Sequence, residues 1–191
     1  MSPADLITSF WFIIVLYWAI SAIGVKRDVT KNSSWWRMFI LRVIIIAAII
    51  TAFNFAVPSN FWKSAVHFST FMNGAVQVVG IILCAAGIMF AMWARVHLGR
   101  NWSGSPQMKE NHELVTSGPY RFVRHPIYTG IMLGLFGSGL AAGLGWFIAF
   151  IIFSVIFILR IKTEEGYMMK LFPNQYPAYR ARTKAFIPFF W

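Results

Sequence analysis

Arg121-Phe122-Val123-Arg124-His125-Pro126-Ile127-Tyr128-Thr129-Gly130 is a charged, histidine-bearing turn that runs directly into the apolar stretch Ile127 to Ala142. Pro126 suits the first position of a helix, where a missing N–H is no loss, so His125 is expected at the N-cap. The free N–H groups and dipole of that helix start, reinforced by Arg124, are expected to attract a carboxylate or a phosphate. Tyr128 falls on the first turn, and Gly130 leaves room beside it. Charged side chains set against a membrane-length apolar segment are costly to desolvate, which marks the turn as a candidate site.

The rest of the chain explains what surrounds this turn. Of 191 residues 58% are hydrophobic and 12% charged, and the mean hydropathy is +0.62; a soluble domain has an apolar share nearer ~45–50%. The composition is that of an integral membrane protein. The net charge of +11 comes from Lys and Arg scattered singly between apolar runs, which fits anionic headgroups and excludes a nucleic-acid module. Cys84 stands alone, so neither an intrachain disulfide nor a Cys-based metal site is expected. Met1 to Asp5 lacks a cationic n-region, so Leu6 to Ile23 reads as a retained first span.

Further apolar runs are Met38 to Val57, Asn73 to Trp93, Ile127 to Ala142 and Leu144 to Leu159. The last two are short for a bilayer core and are separated by the small-residue patch Gly137 to Gly145, which predicts a tight antiparallel helical hairpin. With five spans, all seventeen Lys and Arg except Lys63 fall on one side. The positive-inside rule then places the N-terminus outside, and the third connection and C-terminal tail in the cytoplasm. The expected fold is therefore all-α and polytopic, with about five transmembrane helices. Residues 1–191 form a single membrane domain, divided into N-terminal spans (1–72) and a core (73–191) of third span, long third connection, hairpin and tail.

Trp11, Trp18, Trp35, Trp36, Trp62, Trp93, Trp102 and Trp146 read as interfacial anchors near span ends. In the tail, Thr163 to Phe172 reads as a short amphipathic helix stopped before Pro173. Phe186 to Trp191 is aromatic enough to lie at the interface.

Two polar segments bear most of the chemistry. Asn111 to Tyr120 reads as an extended stretch and a turn punctuated by Gly118-Pro119, with backbone exposed to clamp a flat ring. Arg160 and Glu164, four apart, share a helix face where the fifth span ends. Either they form an ordinary interfacial pair with Glu165 solvated, or a carboxylate opposite the basic turn receives a cationic ligand or a ribose. His97, His112 and His125 are too irregularly spaced for zinc, and no metal is expected.

Arg124-His125-Pro126-Ile127-Tyr128, preceded by His112-Glu113-Leu114-Val115 and Gly118-Pro119-Tyr120 and followed by Arg160, Glu164-Glu165 and Phe172 to Tyr179, resembles the isoprenylcysteine carboxyl methyltransferase family and its prokaryotic relatives. The resemblance covers about Arg95 to Pro188. It implies an S-adenosylmethionine-dependent methyltransferase, with a cytoplasmic cofactor site formed by the third connection and the C-terminal helices. A lipophilic acceptor would enter from the bilayer: an isoprenylcysteine-type carboxylate, or a related lipid, thiol or amine. The implied cofactor positions are Gln107, His112, Leu114, Val115, Tyr120, His125, Pro126, Tyr128 and Glu164, to which the turn adds Gly118 and Arg124. Arg160 would act on the substrate, with Glu164 or His125 a candidate base for an amine acceptor. Two other readings compete: a nicotinamide-dependent oxidoreductase like the membrane sterol reductases, and a scaffold whose basic loops hold anionic lipid.

Overall fold

The computed structural model describes residues 1–21, 73–102 and 113–186. The run Met38 to Val57, residues Gln107 and His112, and the final residues 187–191 lie outside this set. The described chain is helical: α1 (Pro3–Ser21), α2 (Gly74–Leu98), a 3-10 turn (Gly99–Asn101), a second 3-10 turn (Gly118–Arg121), α3 (Pro126–Ala142), α4 (Leu144–Leu171) and α5 (Tyr176–Arg182). Its one extended pairing is a parallel bridge between Val123 and Lys184.

α1, α2 and α4 are long and apolar enough to cross a membrane, and α3 is a shorter apolar helix. Their outward faces carry exposed Phe12, Leu16, Val78, Ile82, Met89, Ile152, Val155 and Leu159. The interior joins small residues such as Ala91 and Ala94 to larger apolar ones such as Ile7, Ile88 and Leu135. A soluble protein does not expose apolar faces on this scale, and this one needs hydrocarbon around it.

Between α2 and α3 the backbones nearly touch. A Cβ added at Gly80 would lie 2.6 Å from the Gly137 carbonyl oxygen, and one at Gly130 would lie 2.6 Å from the Ala91 amide nitrogen. Gly87 meets the Gly134 backbone in the same way. The patch at Gly137 was expected to draw the two hairpin helices together; instead Gly137 serves mainly the α2 contact. Gly139 does face α4, where a Cβ would strike the Phe147 ring at 2.7 Å.

The expected hairpin is present. Gly143 alone separates α3 from α4, at φ 109, a conformation glycine tolerates. Partners descend along α4 as α3 ascends: Tyr128 stacks on Phe157, Ser154 reaches Met132, and Phe136 packs on Phe150. The two helices are thus antiparallel. α1 also runs against α3, from Trp11 bonded to Ser138 to Trp18 beside Tyr128 and Ile131. Consequently α1, α2 and α4 run in one direction, and their C-terminal ends meet the start of α3.

Two expectations about the aromatic residues and the tail need correction. Trp11 is no interfacial anchor: its indole N–H donates to the buried Ser138 hydroxyl at 2.9 Å, and its ring stacks on Trp146 at 5.6 Å. The segment Thr163 to Phe172 is no separate helix, because nothing between Leu159 and Thr163 breaks the backbone pattern. α4 runs on for 28 residues, about 42 Å at the usual rise per residue, so its last turns project beyond a ~30 Å hydrocarbon core.

Candidate active site

The last turns of α4 bring Arg160, Glu164 and Glu165 to the start of α3. Tyr128 donates its hydroxyl proton to Glu164 Oε1 at 2.7 Å, and Arg160 Nε donates to the same oxygen at 2.7 Å. Glu164 Oε2 lies 3.6 Å from Nδ1 of His125. His125, Tyr128 and Phe157 form an aromatic stack, with centroids 5.6 and 4.3 Å apart. The stack fixes the Tyr128 ring, and therefore the direction of its hydroxyl.

One of the two sequence readings of this pair left Glu165 solvated; it is buried. It accepts from Arg124 Nε at 2.7 Å and pairs with Arg180 Nε at 3.2 Å. Arg124 also donates to the carbonyls of Arg180 and Thr183. The Arg124 and His125 amides donate to Lys184 and Ala185 carbonyls at 2.8 and 3.0 Å. The basic turn is accordingly satisfied on its tail side by a carboxylate and by the main chain at Lys184 and Ala185. His125 sits at the N-cap of α3 as expected, with Pro126 following it and no side-chain capping bond.

The tail closes over the third connection through aromatic residues. Tyr179 donates its hydroxyl to the Tyr120 carbonyl at 2.7 Å, and Thr129 donates to the Phe186 carbonyl at 2.6 Å. Burial pushes the Tyr120, Tyr176 and Tyr179 phenols well above the ordinary tyrosine value, so they stay protonated hydrogen-bond donors. On the other side Arg95, buried in α2, donates to the Ser21 carbonyl at 2.6 Å and the Gly99 carbonyl at 2.8 Å. Its guanidinium also lies over the Trp102 ring. This arginine ties the end of α1 to the end of α2.

These elements enclose a cavity of about 340 Å³, within the ~300–1,000 Å³ range of small-molecule sites. Leu114, Val115, Tyr120, Arg124, His125, Pro126, Tyr128, Arg160 and Glu164 all line it. Gly118 does not. It holds φ 58 with the His97 ring against its open side, where a Cβ would meet that ring at 2.6 Å, and His97 is fixed by Ser117 at 2.9 Å. Gly118 therefore shapes the turn that presents Tyr120.

Several lining residues were missed from the sequence. Tyr167 and Met168 lie three and four positions after Glu164 on the same helix, so helical spacing alone points to them. Trp18, from a first span that gave no functional signal, also reaches the cavity, as do Tyr176 and Tyr179. Trp102, read from the sequence as an interfacial anchor, and Asn101 join the same wall. No cluster of three or more metal-ligating side chains occurs among the described residues.

Residues 75–175 match the family model described as phospholipid methyltransferase. The protein-S-isoprenylcysteine O-methyltransferase of Schizosaccharomyces pombe is 37% identical over 141 residues, covering 71% of this chain and 59% of that protein. The cobalt-zinc-cadmium resistance protein CzcN of Cupriavidus metallidurans is 28% identical over 167 residues, covering 86% of this chain and 69% of that protein. Among solved structures, a eukaryotic intramembrane Ras methyltransferase, isoprenylcysteine carboxyl methyltransferase, has a similar fold. Its TM-score is 0.57 at 24% identity, over 84% of this chain and 55% of that one. The chain spans somewhat over half the length of the yeast relative and of this structural neighbour.

Proposed function

The chain belongs to the phospholipid methyltransferase family and is a relative of the isoprenylcysteine carboxyl methyltransferases, and from that membership we propose that it moves a methyl group from S-adenosylmethionine to a lipophilic acceptor at a membrane face. The observation that carries this reading is the shared Glu164 oxygen, held by Tyr128 and Arg160 on the wall of an otherwise largely apolar and aromatic cavity. When bound, S-adenosylmethionine supplies an electrophilic methyl group on a cationic sulfur.

The residues fit such a donor. Glu164 sets a carboxylate in the cavity wall, and Tyr167 adds an aromatic ring beside it that can attract a cation. His125 turns Nδ1 toward Glu164 on the cavity wall, 3.6 Å away, and Nε2 toward Glu165 on the tail side. Leu114 and Val115, irregular in conformation and half-buried, line the cavity where a flat ring would meet them edge-on. Gln107 and His112 stay in the proposed cofactor set on the strength of the resemblance.

In-line methyl displacement gains most from alignment and exclusion of water. Arg160 is placed to orient an acceptor carboxylate through charge-assisted hydrogen bonds. For an amine acceptor, Glu164 or His125 takes the proton. Isoprenylcysteine is the acceptor class favoured by the relatives' names, with lipid, thiol and amine acceptors as variants of the same chemistry.

Five spans are proposed, with the N-terminus outside and the site at the cytoplasmic face. The common direction of α1, α2 and α4 is what an odd number of spans requires, and it adds to the charge asymmetry.

Isothermal calorimetry on the purified protein tests the cofactor. Saturable binding of S-adenosylhomocysteine, lost in Glu164→Ala and His125→Ala, is expected. Binding of a nicotinamide cofactor in its place overturns the reading. Transfer of radiolabelled methyl to prenylcysteine analogues, lipids or thiols then identifies the acceptor.

A further inference from the structure

On the far side of the Arg124–Glu165 pair lies a second concavity, about 570 Å³, between α4, α5 and the tail. Its rim is basic: Lys162, Arg180, Arg182 and Lys184 surround it, with Arg124 at its inner wall. Glu165 is the lone acid there, and it already pairs with Arg124 and Arg180. Lys162, Arg182 and Lys184 are exposed and have no acidic partner among the described residues.

Position identifies the occupant. Lys162 stands two residues beyond Arg160, where the apolar run of α4 ends, so the pocket opens at the level where headgroups begin. Ile161 and Met169 add apolar lining beside the cations, as a lipid glycerol backbone would require. We propose that this pocket binds the phosphate of an anionic membrane phospholipid, fastening α5 and the tail to the bilayer surface. The site is distinct from the methyl-transfer cavity, although Arg124 lines both. A bound phosphate shares Arg180 with Glu165, so lipid binding and closure of the tail over the first cavity are linked through one side chain.

Native mass spectrometry of the full chain in detergent, titrated with phosphatidylglycerol or phosphatidylcholine, tests the proposal without reference to activity. Wild type is expected to retain one phosphatidylglycerol, with phosphatidylcholine at least tenfold weaker. The combined substitution Lys162→Gln, Arg182→Gln and Lys184→Gln should weaken phosphatidylglycerol binding about a hundredfold, given the attraction per basic residue at an anionic surface. The charge-retaining set Lys162→Arg, Arg182→Lys and Lys184→Arg should restore it, and an unchanged melting temperature shows that both variants fold. Equal retention of the two lipids, or no loss in the glutamine variant, overturns the site. Displacement of the lipid by micromolar inorganic phosphate overturns the lipid as its ligand.

Discussion

Glu164 and Glu165 are neighbours on α4, yet they bracket the His125 ring from two sides: Glu164 Oε2 lies 3.6 Å from Nδ1, and Glu165 Oε1 lies 3.4 Å from Nε2. A step of about 100° per residue separates them around the helix, so one carboxylate faces the cavity and the other faces the tail. The second approach is not aligned as a hydrogen bond, which leaves Nε2 without a partner among the described residues. Glu164 holds Tyr128 and Arg160, whereas Glu165 holds Arg124 and Arg180. Adjacent acids thus serve two faces, one lining the cavity and one holding the tail.

Glu165→Ala removes the counter-charge of a mostly buried arginine. Uncompensated charges of this kind typically cost about 3 kcal/mol or more. A lower melting temperature in detergent and faster proteolytic cleavage after Arg180 or Arg182 are expected. Glu165→Gln should recover part of the loss, since its carbonyl still accepts from Arg124.

Tyr128→Phe keeps the ring stacked on Phe157 and loses only the hydroxyl bond to Glu164. A hydrogen bond to a charged group contributes about 1.5–3 kcal/mol to stability, so the melting temperature should fall. S-adenosylhomocysteine affinity or turnover should drop as well, because Glu164 loses one of the two groups that hold it. Unaltered ligand affinity and turnover would remove Tyr128 from the site.

Gly130→Ala drives a methyl group into the Gly87 carbonyl and the Ala91 amide, each 2.6 Å away. The helices must separate, at a cost of about 1–3 kcal/mol. Because Gly130 lies half a turn beyond Tyr128, the displacement should also weaken cofactor binding. Gly74→Ala, with open space around its Cβ, is the control and should leave both melting temperature and binding unchanged.

Ser138→Ala and Trp11→Phe each break one bond between α1 and α3. Each should lower stability by about 1 kcal/mol. In a double-mutant cycle the pair should cost less than the sum, with a coupling of about 0.5 kcal/mol or more, because both changes remove the same contact. Additive losses would show that the indole N–H and the hydroxyl act separately.

Local rules made much of the site legible in advance. Proline placed His125 at the head of α3, and the four-residue spacing paired Arg160 with Glu164. Long uncharged runs marked the membrane helices. The parts that stayed hidden depend on contacts between distant segments: Trp18 gave no sign of reaching the cavity, and nothing near Arg95 pointed to the Ser21 carbonyl. Gly118, counted among the cofactor positions, stands off the cavity with the His97 ring against its open side.

By itself the sequence determined an all-helical membrane chain, its short hairpin, and the turn from Arg121 to Gly130 as the place where charged and polar side chains gather. These follow from desolvation cost and backbone geometry, which act over a few residues. Only the tertiary structure decided the side of His125 that each carboxylate takes, the use of glycines to join α2 to α3, and the closing of the tail over Arg124. Those choices rest on buried charge pairing and close backbone approach, and such energies exist only once segments far apart in the chain have met.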